Sequence, residues 1–247
     1  MKTLILTGDD FGRSAAINDA IERSHRAGIL TQSGIMVNEP HAEEAAAIAR
    51  RNPGLGVGLH LTLCAGRASR ESMLTDAAGN FEPSPAKAGL RYFFSPSLKR
   101  ALSDEIARQF EKFRALGFAP GCWDGHTHLH LHPTILALTL PIAREHGFRF
   151  VRLVREPRPR TALGLVFAAL SSRALPALRA QGIAYADRVC GLRETGRMTT
   201  AAMIRHIEKL PDGLSEIYRH PGAEPAELDA PVIAETLREN CIQIRPS

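Results

Sequence analysis

Short apolar runs alternate with helical patterns along nearly the whole chain, and no other feature constrains the fold as much. Residues 2–7 read as a strand closing on the turn-rich Gly8-Asp-Asp-Phe-Gly12. Ser14 can cap the next helix, whose apolar positions Ile17, Ala20 and Ile21 share a face and which Gly28 ends. Residues 33–37 form a second strand, Pro40 opens an Ala/Glu-rich helix to Arg51, and 55–61 is a third strand carrying His60. The clearest amphipathic helix is 98–116, with Leu102, Ile106, Phe110 and Phe113 at helical spacing. Beyond it the pattern predicts strand 121–125, helix 133–146, strand 149–154, helix 161–179 interrupted by Pro176, and strand 183–186. Helix 199–210, strand 214–218 and helix 232–240 complete the series. Such alternation over 247 residues predicts a parallel, barrel-like α/β domain, with a doubly wound open sheet as the alternative. No repeat or linker divides two cores, so 1–247 reads as one domain. One stretch breaks the rhythm: 64–97 holds Pro83, Pro85 and Pro96 and has weak periodicity, as expected of a long irregular excursion over one face.

Composition narrows the class. With 44% hydrophobic and 23% charged residues the chain has the balance of a soluble globular protein. The N-terminal apolar run is too short for a signal sequence, and the longest uncharged stretch, 161–172, falls short of a bilayer span. Cys64, Cys122, Cys190 and Cys241 lie far apart with no C-x-x-C pair, which argues against a zinc site or a disulfide framework and for a cytoplasmic protein. The formal charge of +5 is uneven. Residues 144–188 hold nine arginines against three acids, and the remainder is nearly neutral. Those arginines flank the apolar run 161–172, a pattern suited to peripheral contact with an anionic inner membrane face; the alternative is a barrel helix with solvated arginines. Nucleic acid is excluded as a partner, because there is one Trp and no recognised binding motif.

The chemistry-bearing residues share one topological position. Asp9 and Asp10 follow the first strand, His60 ends the third, Asp124-Gly-His126-Thr-His128 ends a central strand and His220 follows a late one. In a parallel barrel the C-terminal strand ends converge on one face, where the active site forms. A carboxylate and two imidazoles suit one divalent ion with open positions, and of two adjacent aspartates one can bind it while the other takes a proton. His126, His128, His130 and His132 alternate, so an extended chain would present all four on one face, with His130 and His132 in supporting roles. Gly54-x-Gly56-x-Gly58 is not a dinucleotide loop, since no helix follows it.

Taken in order, Thr7-Gly-Asp-Asp-Phe-Gly12, Gly28-Ile-Leu-Thr31, Gly56-Val-Gly-Leu-His-Leu61, Asp124-Gly-His-Thr-His128 and His220-Pro-Gly222 resemble the YdjC-like carbohydrate deacetylases. The resemblance implies a distorted (β/α) barrel related to polysaccharide deacetylases and removal of an acetyl group from an N-acetylated amino sugar. It implies His60, His126 and Asp10 as ligands of one divalent metal ion, magnesium or zinc first, with iron, cobalt or manganese open. By the same resemblance Asp9 is the general base and His220 the acid or transition-state stabiliser. Gly8 stands where alanine is common, and Thr127 replaces a middle histidine, which leaves His128 as an alternative ligand or a substrate contact. The segment beginning Arg152-Leu-Val-Arg155-Glu-Pro, the apolar run 161–172 and Asp187-x-x-x-Gly191 resemble a narrower branch associated with hopanoid biosynthesis. That branch implies a lipid-linked N-acetylglucosamine substrate and adds Arg152 as a substrate or supporting residue. A soluble chitooligosaccharide deacetylase, another metal hydrolase and a non-catalytic metal- or sugar-binding protein are the competing readings, and a homo-oligomer is compatible with each.

Overall fold

The computed structural model describes residues 1–156, 161–224 and 227–247. Among the described residues there are eight strands and eight α-helices, and they alternate as predicted except at α3, β6 and β8. In chain order they are β1 (Lys2–Phe11), α1 (Ala15–Arg26), β2 (Gln32–Ile35), α2 (Ala42–Arg51), β3 (Gly56–Leu61), α3 (Pro85–Phe94), α4 (Leu98–Ala115) and β4 (Cys122–Gly125). The second half holds α5 (Pro133–Glu145), β5 (Phe150–Val151), α6 (Ala162–Ala180), β6 (Arg188–Cys190), α7 (Thr200–Glu208), β7 (Gly213–Arg219), α8 (Ala230–Glu239) and β8 (Ile242–Ile244). All strand pairs are parallel, in the order β5-β4-β3-β2-β1-β7-β6, and β8 lies beside the first residues of β1. The sheet curls into a distorted barrel. Its last gap is bridged at one point, where Val151 N–H donates to Ala184 O (2.9 Å) and Ala184 N–H to Arg149 O (2.8 Å).

Side chains alternate across each strand, so one set faces the helices and the other the barrel interior. Leu4 and Leu6 join the main core under the helices, where Phe110, Phe113, Trp123 and Phe148 pack edge to face. Ile5, Cys122, Phe150, Val189 and Tyr218 form a small apolar cluster of their own inside the barrel. The same alternation puts Thr7 and Asp9 above Ile5 on β1, Asp124 above Cys122 on β4 and Arg152 above Phe150 after β5, whereas on β7 Glu216 lies level with Ile5 and below Tyr218. On β1, β4 and β5 the interior therefore changes from apolar to polar within two residues, and β7 adds a buried acid, Glu216, at the lower level.

Several local expectations are corrected. The first strand runs through Phe11 rather than stopping at Thr7, because β7 pairs with it as far as Gly8 and β2 pairs again at Phe11. The stretch 64–97 holds a helix, α3, which Ser84 caps and Pro85 opens, a start signal present in the sequence. α6 continues past Pro176, which sits on the exposed side where water can satisfy the carbonyl its ring leaves free. The strand expected at 183–186 reduces to one bridge at Ala184, and β6 lies further on. β5 is only two residues long, and β8 was not foreseen. Nor are the four alternating histidines on an extended chain. Residues 126–131 form 3₁₀ turns with Thr127 and His128 in the left-handed region (φ 56° and 58°), so the rings fan apart.

The arginine-rich stretch does not act as one surface. Arg152 is buried, while Arg144, Arg149, Arg179 and Arg188 precede β5 or β6 and so lie at the strands' N-terminal end, away from the mouth. Arg158 and Arg160 lie outside the described residues, as does Pro157 of the Arg152–Pro157 motif. The caps behave as predicted: Ser14 Oγ accepts from Ile17 N–H at 3.3 Å. Ser14→Ala should lower stability by about 1 kcal/mol, read from the denaturant midpoint.

Candidate active site

Two consecutive residues of a regular strand point to opposite faces, yet Asp9 and Asp10 both reach the barrel mouth. The pairing of β1 shifts register between Gly8 and Phe11, and Asp10 sits at φ 67°. Such a bulge re-aims a side chain, and aspartate tolerates the left-handed conformation better than most residues. Asp9 turns inward to Arg152, and Asp10 meets the histidines across the mouth.

Asp10 Oδ1 lies 2.8 Å from His126 Nδ1 and 3.3 Å from His60 Nε2, and Asp10 Oδ2 accepts from Arg13 Nη1 at 3.0 Å. The three ligand-type atoms of Asp10, His60 and His126 all lie within 4.8 Å of one another. Asp10 Oδ1 and His60 Nε2 are buried and lack a hydrogen bond of proper geometry. Buried polar atoms are otherwise almost always satisfied, so this orphaned pair fits a cation. On its far side His60 Nδ1–H donates to Asp124 Oδ1 at 2.8 Å, which fixes the tautomer that leaves Nε2 free for a metal. Gly34 makes room for the ring: a Cβ there would stand 3.0 Å from His60 Nδ1.

The electrostatics agree. Burial alone would depress His60, but the charge of Asp124, the nearby carboxylate of Asp10 and the hydrogen bond to Asp124 raise it to about 10 without a metal. Burial alone would raise Asp10, but the close imidazoles of His126 and His60 hold it far below the usual carboxylate range. The cluster thus favours a positive charge between its acids. A metal ion meets that demand by displacing the imidazole proton.

Arg152 organises the second acid. Its Nη1 and Nη2 donate to Asp9 Oδ2 (2.8 Å) and Oδ1 (2.9 Å), and Nη1 also contacts Asp124 Oδ2. Nε and Nη2 both lie 2.8 Å from Glu216 Oε1, which accepts from Thr7 Oγ1 at 2.8 Å. The guanidinium stands 4.6 Å over the Tyr218 ring. A second ligand-type grouping, Asp9, His60 and Asp124, is already engaged by this arginine. The first grouping is therefore the better metal site.

His128 stands apart from both groupings. Its Nε2 is 2.9 Å from Tyr218 Oη, its ring meets Phe167 edge-on, and burial followed by the charge of Arg152 keeps it neutral. His130 Nε2–H donates to Arg152 O at 2.9 Å, and His132 packs against Phe93. His220 is half-buried, with Nδ1 free of any protein partner among the described residues. Its loop is braced where Arg219 Nε donates to Glu224 Oε2 at 2.6 Å. Asp9, Asp10, His60, His126, His128 and His220 line one cleft of about 470 Å³, walled on one side by Leu163 and Phe167. Arg13, Asp124, Glu216 and Tyr218 carry no assigned role in the sequence reading. Glu216 could have been found as an acid on the inner face of an otherwise apolar strand.

Against known proteins, the chain is 35% identical over 145 residues to a carbohydrate deacetylase of Brevibacillus brevis, covering 58% of this chain and 56% of that one. It is 34% identical over 169 residues to a chitooligosaccharide deacetylase of Serratia marcescens, covering 66% and 64%. The matched stretch thus spans less than two thirds of either relative. Among solved structures, a proposed cellobiose-phosphate cleavage protein of Enterococcus faecalis superposes with TM-score 0.72 at 19% identity, over 99% of this chain and 97% of the other. A polysaccharide deacetylase of Bacillus cereus superposes with TM-score 0.50 at 13% identity, over 100% and 92%. These likenesses establish the distorted barrel. The YdjC-like protein family model matches residues 3–243, a span that takes in every site residue described above, and the chain belongs to that family.

Proposed function

We propose that the protein, as one domain over residues 1–247, is a metal-dependent hydrolase that removes acetate from an N-acetylated amino sugar. The observation that carries this reading is the Asp10–His60–His126 cluster, with Asp10 Oδ1 and His60 Nε2 unpartnered, and a second, arginine-clamped carboxylate, Asp9, beside it in the same cleft. A metal-binding protein without turnover has no need of that spare base. Asp10, His60 and His126 would hold a divalent ion, magnesium or zinc, with iron, cobalt and manganese also suited to this donor set. Bound there, the ion polarises the acetamide carbonyl and makes a water more acidic. Asp9 takes the proton of the attacking water, its carboxylate held in place by the two bonds from Arg152. His220, which lines the same cleft just past the end of β7, the strand beside β1, donates to the departing amine nitrogen. His128 lines the cleft and is held from behind by the buried Tyr218 hydroxyl, an arrangement suited to meeting a sugar hydroxyl.

The finer reading is a lipid-linked N-acetylglucosamine, such as an N-acetylglucosaminyl hopanoid, met in the cytoplasm at the membrane face. It is supported by the apolar wall of Leu163 and Phe167 beside the ionised cleft. The name of the Serratia relative favours a soluble chitooligosaccharide as the second reading. Acetate release from both substrate types, with and without chelator, separates them. Chelator should abolish release, and His60→Ala/His126→Ala should remove bound metal in elemental analysis; unchanged stoichiometry would sink the ligand assignment.

A further inference from the structure

Six large apolar side chains stand more than half exposed on two neighbouring elements: Leu90, Phe93 and Phe94 on α3, and Leu163, Leu165 and Val166 in the first turns of α6. Both elements lie at the barrel mouth, α3 in the long connection after β3 and the start of α6 in the connection after β5. Between them runs an apolar groove of about 490 Å³, walled by Leu90 and Phe93 on one side and Val166 and Leu170 on the other. The groove shares Pro85, Thr127, His128, Leu163 and Phe167 with the catalytic cleft, so the two are continuous. Monomeric proteins seldom leave so large an apolar patch without a use. α6 is, among the described residues, the one helix long and apolar enough to cross a membrane. It does not leave the barrel, because Ser171 Oγ donates to Val154 O at 3.0 Å and Ala174 and Leu178 are buried beneath it.

The charges around the patch have one sign. Lys87 and Arg91 on α3 and Lys99 and Arg100 at the start of α4 are exposed, and no acid occurs between Glu82 and Asp104. The sequence from 157 to 186, which contains α6, also lacks acids. An apolar rim whose two segments, 83–103 and 157–186, carry bases and no acid matches a surface that is apolar within and anionic outside. A second copy docked face to face would set these bases against themselves.

We infer that the rim of α3 and the first turns of α6 docks on an anionic lipid bilayer, with the groove between them admitting the hydrocarbon part of a lipid whose headgroup reaches the cleft. Docking here deepens the proposed function by naming the surface on which its substrate is met, but the binding itself requires no turnover. Leu165 and Phe94 line neither the groove nor the cleft, and their exposed rings and methyls would enter the headgroup layer first.

Co-sedimentation of the full chain with phosphatidylcholine vesicles, with and without roughly 30% phosphatidylglycerol, tests this. Binding should be at least about tenfold greater on the anionic vesicles and should weaken as salt rises. Phe94→Ser/Leu165→Ser should lose about tenfold or more of that binding with an unchanged unfolding midpoint. Lys99→Ser/Arg100→Ser should lose about fivefold per residue on anionic vesicles and nothing on neutral ones. No vesicle binding, equal binding to both compositions, or undiminished binding by the first variant would each overturn the inference. Sedimentation velocity supplies the last arm: a dimer that Phe94→Ser/Leu165→Ser dissolves, without vesicle binding, would assign the face to a second copy. Failure of the deacetylase reading would appear as absent acetate release while vesicle binding persists.

Discussion

Arg152→Met is expected to destabilise the protein by about 3–5 kcal/mol, more than any surface change and comparable to a large core truncation. The guanidinium is only 2% exposed and stands among Asp9, Asp124 and Glu216, all buried. Methionine matches its bulk but leaves three carboxylates without their counter-charge. Glu216 is already poised for that change, since burial raises its carboxyl above the usual range despite the arginine beside it. Glu216→Gln in the Arg152→Met background should therefore recover part of the loss, because it removes one orphaned charge. Denaturant unfolding of the two single variants and the double one measures the coupling. Additive losses would show that the arginine and Glu216 do not depend on each other. Arg152→Lys should rescue poorly, since an ammonium cannot reproduce the bidentate clamp on Asp9.

Asp9→Asn is expected to lower turnover by about 10²–10⁴-fold while metal content stays at the wild-type level. The amide cannot take a proton from water, and its NH₂ group faces a guanidinium donor where a carboxylate oxygen stood. Metal should persist because the orphaned cluster of Asp10, His60 and His126 does not include Asp9. The informative measurement is kcat for acetate release alongside elemental analysis of the same preparation. A fully active variant would remove Asp9 from the base role; loss of metal together with activity would move Asp9 into the ligand set and favour the Asp9–His60–Asp124 grouping.

Alternation of strand and helix signals, the cap at Ser14, and the helical spacing of Leu102, Ile106, Phe110 and Phe113 were legible because each depends on neighbours a few residues apart. Errors came where distant partners overruled local signals. Gly8-Asp-Asp-Phe-Gly12 has turn composition, yet pairing with β7 at Gly8 and with β2 at Phe11 holds it as strand. The alternating histidines carry a strand-like period that the left-handed backbone at Thr127 and His128 cancels.

The sequence by itself determined the α/β class, the family motifs and that acids and histidines would gather at strand ends, since parallel strands must deliver those ends to one face. Which atoms meet was decided by the tertiary structure alone. The bulge sends two consecutive aspartates to different partners, Arg152 arrives from a strand 143 residues away to hold Asp9, and α3 meets α6 to wall a groove beside the cleft. Local propensity carries no information about contacts between distant segments. Those contacts arise only when the sheet curls and its closure sets which side chains share the interior.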